Sequence, residues 1–111
     1  MLLKDNFYAL SEIIEHAKVF AEQDDDFCLY GQDQDYLDLN VQYFVADYPN
    51  VKDDKEVYPE SVKKVGLSYL YSGQQFIDVV TLLAEQNPDA SHDDYVKALN
   101  YYQDNDEFID L

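Results

Sequence analysis

The chain reads as a small α+β domain: an N-terminal helix, a small antiparallel sheet of about three strands and two C-terminal helices, in a single domain over residues 1–111. Three observations predict this. An apolar stripe of helical period opens the sequence, residues 37–45 alternate with a period of two, and two apolar segments near the end each begin on a capping signature. Composition agrees that the chain folds. Twenty-four Asp and Glu against seven lysines give a formal charge of −17, which usually accompanies low hydrophobicity and disorder, yet 47% of the residues are hydrophobic, with eleven Tyr and six Phe.

Asp5 or Asn6 can cap a helix over residues 6–22, in which Phe7, Leu10, Ile14, Ala17 and Ala21 recur at helical steps and Ile13 and Phe20 widen the stripe. Glu12, Glu15 and Glu22 lie off that stripe, and Asp24-Asp25-Asp26 ends it. Phe27 to Tyr30 is a short strand stopped by Gly31, and Gln32-Asp33-Gln34-Asp35 is polar and turn-like. Leu37, Leu39, Val41, Tyr43 and Val45 then share one face of a strand, with Asp38, Asn40, Gln42, Phe44 and Ala46 on the other. That alternation argues for a sheet with one buried face, antiparallel, so that the 31–36 loop is a hairpin connection.

Tyr48-Pro49-Asn50 ends the strand, and residues 50–60 read as a charged loop. Val65, Leu67, Tyr69 and Tyr71 alternate as a third strand. Ser72 with Gln75 has the form of a capping box and opens a helix to about Gln86. Its wide apolar arc (Phe76, Ile77, Val79, Val80, Leu82, Leu83) makes it the most buried helix. Asn87-Pro88-Asp89 breaks it, and Ser91 with Asp94 opens a last helix to about Tyr102 that buries Tyr95, Leu99 and Tyr102. The helices are expected on one face of the sheet.

Charge and motifs exclude several functions. Binding DNA, RNA or anionic lipid requires cations that neutralise phosphates, and this chain repels them. No apolar run approaches the roughly 20 residues of a membrane span, and Met1-Leu2-Leu3-Lys4-Asp5 lacks the regions of a signal peptide, so a cytoplasmic protein is expected. Cys28 is the one cysteine, which excludes an intramolecular disulfide and a cysteine-built zinc site. Asp33-x-Asp35-x-x-Asp38 and Asp104-x-Asp106-Glu107 lack the glycine of a calcium loop. His16, on the polar side of the first helix, and His92, in the first turn of the last, have no evident nucleophile, and no Gly-rich phosphate loop is present. No cofactor, no metal and no catalytic set are expected.

The tyrosines and acids together suggest a protein partner. Tyr43, Tyr69 and Tyr71 fall on strand faces and read as core. Tyr30, Tyr36 and Tyr58 neighbour acidic loops and read as interface anchors, since tyrosine supplies rigid contact area with a polar tip. Carboxylates would steer a basic partner and pair with its cations.

The segments Gly66-Leu67-Ser68-Tyr69, Gln86-Asn87-Pro88-Asp89, Ala98-Leu99-Asn100-Tyr101-Tyr102 and Asn105-Asp106-Glu107-Phe108-Ile109 resemble a small acidic bacterial domain family. The strands Phe27-Cys28-Leu29-Tyr30 and Phe44-Val45-Ala46-Asp47 extend the resemblance over residues 27–109. Members of that family are immunity proteins found beside polymorphic toxins, including those of contact-dependent growth inhibition. The resemblance implies neutralisation of one cognate toxin domain, an RNase or DNase, and brings no catalytic residues. The expected toxin-binding residues are Tyr30, Asp33, Asp35, Tyr36 and Asp38, then Asp53, Asp54, Glu56 and Tyr58, with Asp104, Asp106 and Glu107 as a further patch. The chain is expected to be a monomer before it meets the toxin. A nucleic-acid mimic that inhibits a DNA-binding protein is the alternative the charge allows.

Overall fold

The computed structural model describes residues 3–20, 26–32 and 36–105. Along the chain these form β1 (Asn6–Ala9), α1 (Leu10–Phe20), β2 (Cys28–Gly31), β3 (Gln42–Ala46), β4 (Asn50–Lys52), β5 (Lys55–Val57), α2 (Glu60–Val65), β6 (Ser68–Ser72), α3 (Gly73–Gln86) and α4 (His92–Asn105). The α+β class stands. The main sheet has four antiparallel strands in the order β1-β3-β2-β6 instead of about three, and β4-β5 is a separate hairpin.

Both faces of the central strands are buried. Leu29 lies opposite Val45 and faces α1, α3 and α4, where Leu10, Ile13, Ile14, Phe76, Val80, Tyr95 and Leu99 complete the larger core. Cys28 lies opposite Ala46, and Tyr30 opposite Phe44; these face the other way and pack with Val62 of α2 and with Leu67. The expectation of helices on a single face is thus corrected, because the short α2 covers the second. Sequence Glu60-Ser61-Val62-Lys63-Lys64-Val65 offers a single buried residue, Val62, which is too little periodicity to announce a helix. Gly66 ends it in the left-handed conformation (φ 66°), donating to the Val62 and Lys63 carbonyls as a helix-terminating glycine does.

The N-terminal helix begins later than the sequence suggests. Residues 6–9 are extended and pair with β3, Asn6 opposite Val45 and Ala9 opposite Gln42. Glu12 reaches back to accept the Ala9 N–H at 3.1 Å, the cap that starts α1 at Leu10. Phe7 fits a helical stripe by spacing alone, but it sits on the second face with its ring 4.9 Å from that of Phe44. Leu10, Ile13, Ile14 and Ala17 are buried as their stripe requires. Ala21 and Glu22 lie outside the described residues.

Residues 37–41 are not strand, since β3 starts at Gln42. Their alternation survives without it: Leu37, Tyr43 and Val45 are buried in the larger core, with Leu39 and Val41 packed against it, while Asp38 and Asn40 are exposed. The third predicted strand also changes. Leu29 pairs with Tyr71 and Tyr30 with Tyr69, so Leu70 is the extra residue of a β-bulge. The bulge sends Tyr69 to the second face and Tyr71 to the first, where strict alternation would have put both on one. Gly31 ends β2 where a Cβ would meet Leu70 Cδ1 at 2.8 Å.

The two C-terminal helices start where their capping residues predict. Ser72 Oγ accepts the Gln75 N–H at 3.1 Å, and Ser91 and Asp94 exchange side-chain bonds with each other's N–H at 3.2 and 3.0 Å. One core group lacks a partner among the described residues. Tyr95 is buried, and its hydroxyl makes no hydrogen bond. Removing that oxygen while keeping the ring should leave stability unchanged or raise it by about 1 kcal/mol. The urea midpoint of Tyr95→Phe checks this; a loss of about 1 kcal/mol or more would mean that the hydroxyl is bonded in solution.

Candidate functional site

Most of the tyrosines hold the fold together. Tyr30 donates to the Asp47 carbonyl at 2.7 Å, and Tyr71 to the Leu99 carbonyl at 3.0 Å. Tyr43 accepts the Asp38 N–H at 2.7 Å, Tyr58 accepts the Tyr69 N–H at 3.3 Å, and Tyr48 accepts the Gln74 N–H at 3.3 Å. In each case an aromatic body fills a layer while its hydroxyl bonds a main-chain group, in a loop for Tyr30 and Tyr43 and within α4 for Tyr71. Tyr30 is therefore corrected as an interface anchor: it is 0% exposed and forms edge-on contacts with Tyr58 and Tyr69. Its neighbours Leu29 and Gly31 gave no reason to place it inside, because the second face reads as solvated until α2 is known. Tyr58 is half-buried in the same layer. Tyr36, 55% exposed, is the member of the trio that remains at the surface.

The charge is unevenly distributed. Lys52, Lys55, Lys63 and Lys64 match Asp53, Asp54, Glu56 and Glu60 one for one, so residues 50–65 carry no net charge and the excess of acid lies elsewhere. Asp53 and Asp54 form the two-residue turn of the β4-β5 hairpin, both with positive φ (53° and 63°), between the directly paired Lys52 and Lys55. This is a poor imitation of a phosphate run, because each carboxylate has an ammonium beside it in sequence. By contrast α3, α4 and their connection carry Asp78, Glu85, Asp89, Asp93, Asp94 and Asp104 against Lys97 alone. The outer side of α3 and α4 is thus an acidic surface, and residues 1–49, with eleven acids against two lysines, carry the rest of the excess together with the C-terminal residues.

Two of the predicted patches meet on that side. Asn100 of α4 accepts the Leu37 N–H at 2.7 Å and donates to the Leu37 carbonyl at 3.1 Å, clamping the segment before β3 onto the helix. Asp104 stands one turn beyond Asn100 on the same helix face. Tyr36, Asp38 and Asp104 are thereby gathered on one side of the fold, while Asp53, Asp54, Glu56 and Tyr58 belong to the hairpin and the second face. Asp33, Asp35, Asp106 and Glu107 lie outside the described residues. Asn100 went unnoticed in the sequence for a simple reason: its partner is 63 positions away and a lone Asn on a helix carries no signal.

Cys28 is buried in β2, and burial pushes its thiol up to about 12, against nucleophilic use. His16, expected on the polar side of α1, is buried instead. His92 stands 3.9 Å from Glu15, which also pairs with Lys18 at 3.2 Å. Among the described residues no group of three His, Cys, Asp or Glu is placed to hold a metal ion, and no helix is long and apolar enough to cross a membrane.

The buried hydroxyls and thiol make alkaline stability a direct test of this packing. Burial also raises Tyr69 to about 12, and raises Tyr30 and Tyr71 further. A raised folded pKa contributes stability that is fully present below the unfolded value, 9.0 for the thiol and 10.0 for tyrosine, and is lost as pH rises toward the folded one. The urea midpoint should therefore fall continuously from pH 9 to pH 12, and Cys28→Ala should move the onset toward pH 10. A midpoint constant to pH 12 would show these groups to be solvated.

The chain matches no curated protein and no solved structure. A family profile does match it, over residues 7–111 and hence over every strand, helix and surface described above apart from the first residue of β1. The chain belongs to the family described as Domain of unknown function (DUF7716).

Proposed function

We propose that this domain is an immunity protein that neutralises a basic toxin domain, a nuclease in the first instance, by laying the acidic side of its helical layer over the toxin's cationic surface. The observation that carries the reading is the segregation of charge: Asp38, Asp104 and the acids of α3 and α4 outnumber the lysines near them, Lys97 of α4 and Lys18 of α1, whereas the hairpin and α2 are balanced. The resemblance of residues 27–109 to toxin-associated immunity domains points the same way. Carboxylates held by a stable core resemble the phosphates that a nuclease binds, without being cleavable. Tyr36 beside them supplies an apolar contact of the kind that anchors interfaces.

Concentrated negative charge acts mainly on the encounter rate, and salt screens it over a Debye length of about 8 Å at physiological ionic strength. The test is binding kinetics with the product of the adjacent gene, inactivated in its active site. Association should slow at least about tenfold between low and physiological salt, with dissociation changing less. Asp38→Asn with Asp104→Asn should slow association severalfold, while Asp53→Asn, Asp54→Asn and Glu56→Gln together should leave it within about twofold. The reverse ranking of the two variants would move the site to the hairpin. Absence of binding, with capture of several DNA-binding proteins from lysate, would favour a nucleic-acid mimic.

A further inference from the structure

Three tyrosines and two glutamines line a recess where β6, the edge strand of the sheet, passes between the start of α3 and the end of α4. Tyr69, Leu70, Tyr71, Gln75, Tyr102 and Gln103 line a recess of about 100 Å3 there, open on one side to solvent. That is room for about three waters at ~30 Å3 each, or for the head of one long side chain.

Two of its polar groups are oriented by hydrogen bonds. Gln103 Nε2 donates to the Leu70 carbonyl at 3.0 Å, which spends a donor of that amide and leaves its oxygen as an acceptor. The Tyr71 hydroxyl proton goes to the Leu99 carbonyl, so its oxygen too can only accept a further bond. No lysine or histidine lines the recess. Asp104 follows Gln103 on α4, and Glu56 adds, after burial and other neighbours, to the field that holds the Tyr69 proton. The partly exposed Tyr102, two oriented acceptors and no resident cation, in a protein of charge −17, describe a place for a positive side chain.

We propose that this recess receives an arginine or lysine side chain from the partner. Arginine fits better, because a planar guanidinium stacks on a tyrosine ring while its in-plane N–H groups reach the carboxamide oxygens. The inference rests on the reading that the partner is basic and names the contact that would fix its position, where the carboxylates alone supply only attraction.

The test needs no partner protein. The 15N-labelled full chain is titrated with Nα-acetyl-arginine methylamide, and with the citrulline analogue as the uncharged isostere. Saturable amide shifts confined to β6, the start of α3 and residues 102–103 are expected with arginine and absent with citrulline. Gln75→Lys, at an exposed helix position, places the protein's own ammonium in the recess and should weaken arginine binding about tenfold. Tyr102→Leu keeps apolar packing but removes the ring face, and should weaken it too. Equal responses to citrulline and arginine, shifts scattered over the carboxylates of α3 and α4 without saturation, or no effect of Gln75→Lys would overturn the proposal. Such a failure would leave toxin binding by the acidic surface standing. Arginine binding without any toxin capture would leave the recess standing and remove only the identity of the partner.

Discussion

Burial of β2 and β3 on both faces is the constraint from which the other features follow. A short chain carrying twenty-four carboxylates has few apolar residues to spare, and two cores must be filled around one strand pair. Tyrosine meets the need, because its ring fills volume while its hydroxyl can bond a main-chain group. Tyr43 and Tyr71 do this in the larger core, Tyr30 and Tyr58 in the smaller. Their hydroxyls tie segments well separated in sequence, such as Tyr71 to Leu99 and Tyr30 to Asp47. Each such bond is worth about 1 kcal/mol net. Their larger effect is to fix where irregular segments run without lysine–carboxylate pairs, which are scarce here.

That division of labour frees the acids. Among the described residues, Lys4 pairs with Asp26 and Asp47, Lys18 with Glu15 and Lys63 with Glu60, all at least partly exposed and each worth little to stability. Apart from Asp94, which accepts the Ser91 N–H, the carboxylates of α3 and α4 do not set the helix starts, which rest on Ser72 and Ser91, and the inner face of α3 is apolar. A surface charge that the fold does not use, and whose mutual repulsion opposes compactness, calls for a functional reason. A cationic partner supplies one. The two hydrogen bonds between Asn100 and Leu37 bring the segment bearing Tyr36 and Asp38 to the helix that bears Asp104.

The sequence was most legible where a local rule acts alone. The capping residues Ser72 and Ser91 start their helices, the alternation of Leu37 through Val45 names the core-facing residues correctly, and Leu10, Ile13, Ile14 and Ala17 are buried. It was least legible where partners are distant. Residues 6–9 become strand because β3 offers them a pairing edge, which no local period records. The bulge at Leu70 sends Tyr69 and Tyr71 to opposite faces, although their spacing reads as one. Tyr30 looked like a surface anchor because α2, with Val62 as its single buried residue, gave no periodic signal of the lid above it. Asp53, Asp54 and Glu56 suggest an acidic patch by themselves, but Lys52 and Lys55 are interleaved with them and offset most of their charge.

The account divides the molecule into an acidic helical side that meets the partner and a balanced side that completes the fold. Amide hydrogen exchange of the domain alone and in complex with the toxin tests that division most directly. The account predicts new protection at residues 36–41 and 98–105, together with β6 at its outer edge, and unchanged exchange in β4 and β5. Protection gained in β4, β5 and α2 with residues 98–105 unaffected would contradict it, and would place the interface on the face read here as structural.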